Sequence, residues 1–589
     1  MNADKKGKEM GELPIAGSYR PTIMGTEGMV ASGHYLATLA GQRILDKGGN
    51  AVDAGVAAGL CITVLHIDMV GFAGVAPIIV YLADEDRVVT ISGLGRWPQA
   101  ASVDYFQKHC GGHIPNGVLR CITPGSPDAW ITALEAYGTM SLAEVMQDAL
   151  TLAERGFPMH PFMYANLRDG LSIFQQWPSS AAHCLPGGRL PELGEVFAQP
   201  DLARTMRRLI AAEENARPRG REAGLQAARE TFYRGDIARE IAAFFQEQGG
   251  LLTYDDLASF RVQIEAPVRA RFQEYDIYSC GPWCQGPVLA QAVAMLEGYD
   301  LQALGHNSPA YVHLLTETLK LVFADRERYY GDPEFVDVPM QGLLSQQYIE
   351  ARRQLIQPDK AHPGMPPAGD PWHGNGAVAP WRGLQPMPEP ATAETLDTSY
   401  ICAVDRHGNI FSATPSDGCM NAPVVPGIGV VVSTRGSQSW AVQGHASAIA
   451  PGKRPRLTPC PAIVFKNGKP FMPLGTPGGD VQCQSMLQVF LNIAVFGMLP
   501  QAAIEAPRFS TYSYPGSFEP HTYHPDELRI EERLAATVGH ELANKGHKVV
   551  TWPDWTWKAG GICTITINRE SGVLAAGADP RRMGYAMGW

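Results

Sequence analysis

The order of apolar patterns along the chain restricts the fold more than any single motif does. A hairpin signature, "APIIVYLADEDRVVTISGLG", stands early in the chain, and helical patterns dominate from about residue 126 to 358. Two strand-rich regions around this long helical one predict an α+β fold with helices packed outside sheets. The later strand patterns are "SYICAVD", "IFSAT", "GVVVST", "PAIVFKNGKPFMPLG" and "GICTITINRESGVLAAGAD".

The helices before this hairpin also require a layered fold. One helix is predicted through residue 47, a Gly-Gly-Asn break follows, and a second helix runs from Ala51 to about Leu65. The second helix is apolar on nearly every side. We therefore predict that it is buried between other elements and does not lie on the surface.

Composition indicates a soluble globular protein that acts on a small molecule. The 589 residues are 45% hydrophobic and 18% charged, and the formal net charge is −11. Nucleic acid and anionic membranes reward a basic surface, so this charge argues against both as the main partner. No apolar run has the length of a secretory signal or a membrane span, and eleven scattered cysteines are typical of reduced thiols. We therefore expect a cytoplasmic protein.

A segment rich in Pro, Gly and Ala extends from about residue 359 to 396, immediately before the strand that begins near Thr398. A long structureless segment inside a domain is uncommon, and it is usually either functional or disordered. The composition predicts a linker or loop here. Its position directs attention to the junction between the loop and the strand that follows.

The turn "RHGN" determines which residues face each other across the next two strands. A two-residue turn on its His-Gly pair places Thr398 opposite Asp417 and Ser399 opposite Ser416. A hydroxyl at the start of a strand, beside a second cluster of hydroxyls, is a candidate nucleophile. Ordinary strands also begin with Thr, so spacing alone leaves both interpretations open.

Nine blocks along the chain resemble, in the same order, those of the γ-glutamyltransferase (glutathione hydrolase) family. They cover roughly residues 28 to 589, and nine collinear blocks are far more specific than a single motif. The blocks are "MVASGHYLATLAGQRILDKGGNAVDAGVA", "TPGSPDAW", "YGTMSLAEVMQDALTLAERGF", "GGLLTYDDLASF", "FADRERYYGDPEFVDVP", "TSYICAVDRHGNIFSATPSDG", "PGKRPRLTPCPAIVF", "GTPGGDVQCQSMLQ" and "GADPRRMGYAMGW".

The resemblance implies an N-terminal-nucleophile hydrolase with a four-layer αββα sandwich, made as a precursor that cuts itself before a Thr. In this sequence that residue is Thr398. Residues 1–397 then become a large subunit, with a flexible tether at about 359–397, and residues 398–589 a small catalytic subunit. The two subunits are expected to form one intertwined domain, and a dimer of such heterodimers is a further expectation. The resemblance implies no cofactor and no metal.

The chemistry that the resemblance implies uses Thr398 twice. Its Oγ attacks the carbonyl of Asp397, an N→O acyl shift gives an ester, and water hydrolyses that ester. The freed α-amine, whose pKa is about 7.7–8.0 in model peptides, then serves as general base for its own hydroxyl. Ser416 stands where the family has a hydroxyl bonded to the nucleophile. Gly478 and Gly479, just before a predicted helix, stand where the family has its oxyanion hole.

The residues that hold the γ-glutamyl group in the family are altered in this chain. The family's Arg corresponds to Leu94, and Arg96 lies two residues later on the same face of an extended strand. Arg96 either replaces that cation or is a surface residue. The family's Gln is Arg435, and its amine-binding Asp is Gln438. Its carboxylate-binding Ser-Ser pair is a Leu-Thr pair that ends at Thr458.

These changes alter the charge of the expected substrate. Replacing Asp by Gln removes the partner of a substrate ammonium, and Arg435 adds a fork that suits a carboxylate. We expect a small acyl donor that carries a carboxylate but no α-amine, such as an oxamate-like or short dicarboxylyl amide. Two alternatives stay open. One is a true γ-glutamyltransferase or glutathione hydrolase whose clamp uses Arg96 and Arg435, and the other is an uncleaved binding or scaffold protein.

Two other groups of polar residues receive structural assignments. His34 and His66 lie in or beside apolar helices without the spacing of metal ligands, so core or cap roles are expected. Asp579, Arg581 and Arg582 are expected to hold the small subunit together and not to contact substrate.

Overall fold

A computed structural model of the protein describes residues 18–374 and 397–589. The first part of the predicted tether, residues 359–374, contains no helix or strand, but hydrogen bonds hold it in place. The Met365 amide donates to the Tyr523 hydroxyl at 2.8 Å, and the Gly369 amide donates to the Asp325 carboxylate at 3.0 Å. The remainder of the predicted tether, residues 375–396, lies outside the described residues.

The strands of the described residues form two large sheets and three small ones. The first large sheet has the strand order β1-β20-β19-β15-β14-β10-β9, and the second has the order β21-β2-β11-β12-β4-β5-β8. The strands are β1 (Ile23–Gly25), β2 (Met29–Ser32), β3 (Val70–Val75), β4 (Ile78–Leu82), β5 (Arg87–Ile91), β6 (Phe157–Pro158), β7 (Val196–Phe197), β8 (Ile264–Glu265), β9 (Val268–Phe272), β10 (Tyr275–Ser279), β11 (Ile401–Val404), β12 (Ile410–Ala413), β13 (Ser416–Asp417), β14 (Ala462–Lys466), β15 (Lys469–Gly475), β16 (Phe509–Thr511), β17 (Glu527–Glu531), β18 (Lys548–Trp552), β19 (Cys563–Ile567), β20 (Leu574–Ala578) and β21 (Tyr585–Gly588).

Helices cover the outer faces of both large sheets. The α-helices are α1 (Tyr35–Asp46), α2 (Ala51–Leu65), α3 (Val103–Cys110), α4 (Ser126–Tyr137), α5 (Leu142–Arg155), α6 (Pro161–Asp169), α7 (Leu171–Phe174), α8 (Pro178–Cys184), α9 (Pro200–Ala216), α10 (Arg221–Tyr233), α11 (Asp236–Glu247), α12 (Tyr254–Ala258), α13 (Gly286–Leu296), α14 (Leu301–Leu304), α15 (Pro309–Tyr329), α16 (Met340–Leu343), α17 (Gln346–Arg353), α18 (Val481–Ala494), α19 (Pro500–Glu505) and α20 (Glu532–Asn544). Every helix among the described residues is too short or too polar to cross a membrane.

Alternating side chains of the strands build the layers, because successive residues of a strand point to opposite faces of the sheet. In β4 of the second sheet, Ile78 and Val80 pack in the apolar cluster that contains α1, α2, α4 and α5. Ile79 and Tyr81 of the same strand pack instead against the first sheet, in a cluster made of strand residues of both sheets. The other face of the first sheet packs against α13, α15 and α18. The predicted α+β fold with αββα layering is therefore confirmed.

Both large sheets contain strands from each side of the Asp397–Thr398 bond. In the second sheet, β11 lies between β2 and β12, and β12 lies between β11 and β4. In the first sheet, β14 pairs with β10. A cut at this bond would consequently leave each product with strands in both sheets.

Helix α2 shows why the sequence folds this way locally. The Asn50 side chain accepts hydrogen bonds from the amides of Val52 and Asp53, and the Asp53 carboxylate accepts one from the Asn50 amide, which forms a capping box. Every residue from Ala51 to Leu65 is buried, as predicted from its uniformly apolar composition.

Two segments differ from the predicted secondary structure. Strands β8, β9 and β10 interrupt the region that was predicted as helical, because each is a run of at most five residues that extends a sheet already begun elsewhere in the chain. The strand predicted at "GVVVST" is wrong. There the Val425 amide donates to the Val430 carbonyl and the Ser433 amide donates to the Ala73 carbonyl, so the segment is a turn and an irregular crossing.

The predicted register of the β11–β12 hairpin is wrong by one residue. Val404 pairs with Ile410, and the Asp405 amide donates to the Asn409 carbonyl at 3.2 Å, so the connection is a three-residue loop and not a two-residue turn. The Asp405 carboxylate accepts bonds from the amides of His407 and Asn409 at 2.9 and 3.0 Å, which favours the longer loop. The shift also changes the residue that lies opposite Thr398.

Candidate active site

Thr398 lies at the entrance to β11 in a strained backbone conformation. Its amide donates to the Met69 carbonyl at 2.9 Å, and the neighbouring Ser399 amide donates to the Pro415 carbonyl at 2.9 Å. The φ angle of Thr398 is +106°, a region that a β-branched residue rarely adopts. Such conformations cost about 1–3 kcal/mol and concentrate at functional sites. The strained torsion is the one about the N–Cα bond of Thr398, adjacent to the peptide bond between Asp397 and Thr398.

The corrected register brings Thr398 opposite Ser416, whereas Asp417 was predicted there. The Oγ1 atom of Thr398 and the Oγ atom of Ser416 are 2.5 Å apart. Ser416 Oγ also accepts a bond from Arg435 Nη2 at 2.5 Å and lies 3.2 Å from a carboxylate oxygen of Asp397. Thr398, Ser416 and Arg435 are all buried. Two hydroxyls, a guanidinium and a carboxylate thus meet at the predicted nucleophile.

Arg435 holds the carboxylate of the residue on the other side of the predicted cleavage site. Its Nη2 donates to Asp397 Oδ1 at 2.5 Å, and the Gly418 amide donates to Asp397 Oδ2 at 3.2 Å. The Phe518 ring lies 5.3 Å from the guanidinium carbon. Within the described residues, Nε and Nη1 of Arg435 have no hydrogen-bond partner. Part of this fork is therefore uncommitted.

Asp417 forms the other wall of the guanidinium site. Its carboxylate accepts bonds from the Ser433 hydroxyl at 2.5 Å and from the Thr434 amide and hydroxyl at 3.0 and 2.6 Å, and it lies 3.4 Å from Arg435 Nη1. Burial raises the pKa of Asp417, Arg435 opposes this change, and the charge of Asp397 adds to it. The φ angle of Asp417 is +89°, so strain is present on both sides of Arg435.

Gly478 and Gly479 have backbone conformations that suit the predicted oxyanion hole. Their φ angles are +128° and +56°, and they precede α18, whose N-cap is Asp480. Neither amide donates a hydrogen bond to any residue that the structure describes. Pro477, the residue before them, lines the same cavity as Thr398. These two amides, which follow a residue of the cavity wall and have no acceptor among the described residues, are donors of the kind that the predicted oxyanion hole requires.

The cavity at Thr398 is small and contains residues that sequence reasoning assigned elsewhere. It leaves about 10 Å³ for the centre of a water-sized sphere, which is room for about one water molecule. Arg582 lines it and donates from Nη1 to the Thr398 carbonyl at 3.2 Å. His66 also lines it, with its Nδ1 atom 3.5 Å from Asp68. No sequence signal distinguished these residues, because their proximity to Thr398 arises only in the folded chain.

The structure separates the other predicted substrate-binding residues into two places. Gln438 and Thr458 bond each other: the Gln438 amide nitrogen donates to Thr458 Oγ1 at 2.8 Å, and the Thr458 amide donates to Gln438 Oε1 at 3.2 Å. Arg96 binds Glu334 at 2.9 Å and the Gly452 carbonyl at 2.9 Å. This arrangement favours the surface alternative for Arg96, and the carboxylate-binding role that was considered for it has no contact to support it.

One set of three residues with metal-ligand side chains occurs within the described part of the chain, at His313, Glu317 and His547. It does not belong to the cluster around the predicted nucleophile. The Glu317 carboxylate already accepts bonds from Lys320 Nζ and from the His362 amide, both at 2.8 Å. The Lys320 ammonium thus already binds the Glu317 carboxylate, which is the anionic residue of this set.

Comparisons with known proteins find similar sequences and structures. The family model described as Gamma-glutamyltranspeptidase matches residues 37–589. The glutathione hydrolase-like YwrD proenzyme of Bacillus subtilis is 31% identical over 571 residues, which cover 96% of this chain and 99% of that protein. The acylase ACY 1 proenzyme of Pseudomonas sp. strain V22 is 33% identical, with 94% and 92% covered. The crystal structure of cephalosporin acylase from Bacillus halodurans has a TM-score of 0.84 at 28% identity, with 97% of each chain covered.

Proposed function

The chain belongs to the gamma-glutamyltranspeptidase family, and from this premise we propose that it is a self-cleaving amidohydrolase whose nucleophile is Thr398. Relatives in this family are proenzymes of glutathione hydrolases and acylases. The acyl donor of this chain carries a carboxylate and no α-amine. The observation that carries the proposal is the buried ion pair between Arg435 and Asp397, beside the Thr398 hydroxyl.

Self-cleavage follows from the contacts of Thr398. Its Oγ attacks the carbonyl carbon of Asp397, the C–N bond breaks, and the hydroxyl proton ends on the nitrogen, which becomes the free α-amine. The product is an ester between Asp397 and Thr398. Water then adds to this ester, which restores the hydroxyl and releases a new carboxylate on Asp397. Leaving the +106° φ angle behind removes the backbone strain, so cleavage is favoured in the folded precursor.

Substrate hydrolysis would repeat this chemistry with an external acyl group. The α-amine of Thr398 takes the proton from its own hydroxyl, and the amides of Gly478 and Gly479 stabilise the oxyanion. The acyl-enzyme forms as the amine leaves, and water hydrolyses it. Ser416 bonds to the nucleophile and keeps its hydroxyl oriented.

The charge around Arg435 supports a donor without an α-amine. The family's amine-binding Asp is replaced here by Gln438, a neutral amide whose nitrogen donates to Thr458 and whose oxygen accepts from the Thr458 amide, so it offers an ammonium no opposite charge. Arg435 offers a guanidinium fork that matches a carboxylate. A γ-glutamyl donor would bring an ammonium that this site leaves unpaired, which is costly when desolvated.

The proposal includes the fate of the two chain segments. Both remain together as a heterodimer, since each contributes strands to both sheets. A cytoplasmic location is part of the proposal and is supported by eleven cysteines that are all free thiols, ten of them buried.

The proposal can be tested with purified protein whose cleavage has been verified by intact mass. We expect turnover of glutaryl p-nitroanilide or oxamate to exceed turnover of γ-glutamyl p-nitroanilide, measured by release of nitroaniline or ammonia. Thr398→Ala is the matched control for background hydrolysis.

Each of the other outcomes selects an alternative. Robust turnover of the γ-glutamyl compound with none of the diacid amides would overturn the proposed donor and support a true γ-glutamyltransferase. A single uncleaved band that persists would support the scaffold interpretation.

A further inference from the structure

The residue before the predicted cleavage site places a carboxylate on Arg435. The Asp397 side chain reaches Arg435 Nη2 at 2.5 Å and the Gly418 amide at 3.2 Å. Its carboxylate is separated from the Asp397 carbonyl carbon by Cα and Cβ alone. A carbonyl at the nucleophile and a carboxylate on the guanidinium, joined by two carbons, are the two ends of a four-carbon diacid.

Self-cleavage converts Asp397, which resembles a four-carbon diacid, into the acyl group of an ester on Thr398. When Thr398 Oγ attacks the Asp397 carbonyl, the resulting ester is an acyl-enzyme whose acyl group is an aspartyl residue. Its distal carboxylate starts on Arg435, and the nitrogen on its α-carbon is a peptide amide, which carries no charge. The acyl-enzyme formed later from a substrate uses the same Thr398 oxygen. The aspartyl group of residue 397 is therefore an acyl group that fits the site in the precursor.

The surrounding space supports the same assignment. The cavities lined by Thr398 and by Gly478 leave only about 10 and 20 Å³ for water-sized spheres within the described residues. Arg435 lines neither of these cavities, and its buried guanidinium contacts Asp397, Ser416 and Asp417. Departure of Asp397 after cleavage would remove the carboxylate that Nη2 of Arg435 binds. Within the described residues Nε has no hydrogen-bond partner, and Nη1 lies 3.4 Å from Asp417 Oδ1.

We propose that the mature site is selective for four-carbon dicarboxylyl amides of the succinyl type, in which the carboxylate lies two carbons from the reacting carbonyl. This inference rests on the proposed function and adds the chain length to it. An oxamate-like donor is two carbons shorter, and a glutaryl donor is one carbon longer. With the carbonyl fixed at Thr398, either one misplaces its carboxylate relative to Arg435, and small displacements of reacting groups reduce rates strongly.

The first experiment measures kcat/KM of the processed protein for malonyl, succinyl, glutaryl and adipyl p-nitroanilides. We expect a maximum at succinyl, with glutaryl and malonyl lower by about 10-fold or more, since one methylene typically changes discrimination by about 10–200-fold. A maximum at glutaryl or adipyl, or a flat series, would overturn the chain-length inference and leave the proposed function standing. Hydrolysis of γ-glutamyl p-nitroanilide with none of the four diacids would overturn the proposed function itself.

The second experiment follows self-cleavage of the full-length precursor over time by intact mass. Asp397→Asn removes the carboxylate charge that binds Arg435, and Asp397→Glu moves that carboxylate by one carbon. Both variants should therefore cleave at least about 10-fold more slowly than the wild type. Glu334→Gln, which alters the exposed Arg96 pair, is the matched control and should cleave at the wild-type rate. Circular dichroism checks that each variant is folded. Wild-type cleavage rates in both Asp397 variants would show that binding of this carboxylate by Arg435 does not position the Asp397 carbonyl for attack.

Discussion

Two buried groups of arginines and carboxylates occupy this molecule, and they differ in how completely their charges are satisfied. One lies at the predicted nucleophile and the other near the C-terminal end of the chain. We name them the Arg435 cluster, which consists of Arg435, Asp397 and Asp417, and the Arg581 cluster, which consists of Arg581, Glu531 and Asp579.

In the Arg581 cluster every nitrogen of the central guanidinium is used. Nε and Nη2 of Arg581 bind the two oxygens of Glu531 at 2.7 and 2.6 Å, and Nη1 donates to the Ile504 carbonyl at 2.9 Å. Arg508 binds Asp579 at 2.6 Å. Such a bidentate, fully bonded pair is geometrically fixed, so this cluster fits the structural role predicted for Asp579 and Arg581.

In the Arg435 cluster only Nη2 makes hydrogen bonds, and one of its two acceptors belongs to Asp397. Thr398 and Asp417 also have positive φ angles, whereas none of the three members of the Arg581 cluster does. Buried polar groups are normally satisfied. The difference is the one that the proposed function requires, in which Arg435 exchanges Asp397 for the carboxylate of a substrate.

The largest effect in this comparison should come from Thr398→Ala. Without the hydroxyl neither cleavage nor acyl transfer can start, so the protein should remain a single chain of 63.8 kDa with no turnover above background. Because Asp397 then stays on Arg435, the variant also preserves the occupied state of the cluster. Intact mass and a p-nitroanilide assay measure both results.

Ser399→Ala is the adjacent control, because its hydroxyl lines the same cavity without bonding to Ser416. It should still cleave. Cleavage of the Thr398→Ala protein at the same bond would show that another residue is the nucleophile.

The fold followed from the sequence more completely than the site did. The buried helix α2 and the β4–β5 hairpin were predictable because apolar periodicity and caps act within a few residues. The register at Thr398 was not, because it depends on the Asp405 side chain bonding to backbone amides inside the loop. The contact of Arg435 with Asp397 was also missed, since the family pattern directed that arginine toward the substrate.

The second prediction exchanges the two arginines for glutamine and compares what is lost. Arg581→Gln leaves the buried Glu531 without its bidentate partner, while Arg508 still binds Asp579. Breaking a buried ion pair typically destabilises a protein by about 3–5 kcal/mol. Arg435→Gln should cost less stability, because Asp417 keeps its bonds to Ser433 and Thr434. It should nevertheless slow self-cleavage by about 100-fold, since breaking a buried charged contact typically costs about 2–5 kcal/mol.

Chemical unfolding and time-resolved intact mass, applied to both variants, separate stability from chemistry. A wild-type cleavage rate in Arg435→Gln, together with a loss of stability as large as that of Arg581→Gln, would contradict this prediction. That result would show that both clusters have the same structural role and that the Arg435 cluster does not act in cleavage.

The third prediction concerns the glycine amides beside the nucleophile. Gly478→Ala puts a Cβ on a residue with a φ angle of +128°, which L side chains rarely adopt, although the nearest atoms are 3.6 Å away. The backbone must shift to relieve this strain, and a shift of about 1 Å at an oxyanion donor can cost about 100-fold in kcat. Gly427→Ala, at an open position with φ of +76°, is the matched control for the strain alone. Equal kcat values in the two variants would remove these amides from the mechanism.

The smallest predicted effect is the order in which the two regions lose stability in acid. His160, which packs against His66 beside the Thr398 cavity, has its pKa lowered to about 4, chiefly by burial and by His66, while Asp68 opposes this. A histidine with a lowered pKa is protonated more readily in the unfolded chain. Its contribution to stability is therefore complete above pH 6.5 and is lost as the pH falls toward 4, at about 1.4 kcal/mol per pH unit.

The Arg581 cluster loses stability only at a lower pH than the nucleophile region. Burial pushes the pKa of Asp579 up, but Arg508 and Arg581 outweigh it and hold that pKa below its usual range. Stability from this carboxylate is present above its ordinary pKa of 3.8 and is lost only below that value. Acid should thus weaken the nucleophile region first, between pH 6.5 and 4, and the Arg581 cluster afterwards.

Thermal unfolding midpoints of uncleaved Thr398→Ala protein across this pH range measure both stages. His34, whose pKa is lowered by burial and by the neighbouring histidines, caps α1 by accepting from the Leu36 amide, and asparagine preserves such a cap. His34→Asn should therefore reduce the slope of the first stage without altering the second. His407→Asn, at an exposed position in the β11–β12 loop, should leave both unchanged. A single transition below pH 4 in every variant would show that the buried histidines do not make the nucleophile region the more acid-sensitive of the two.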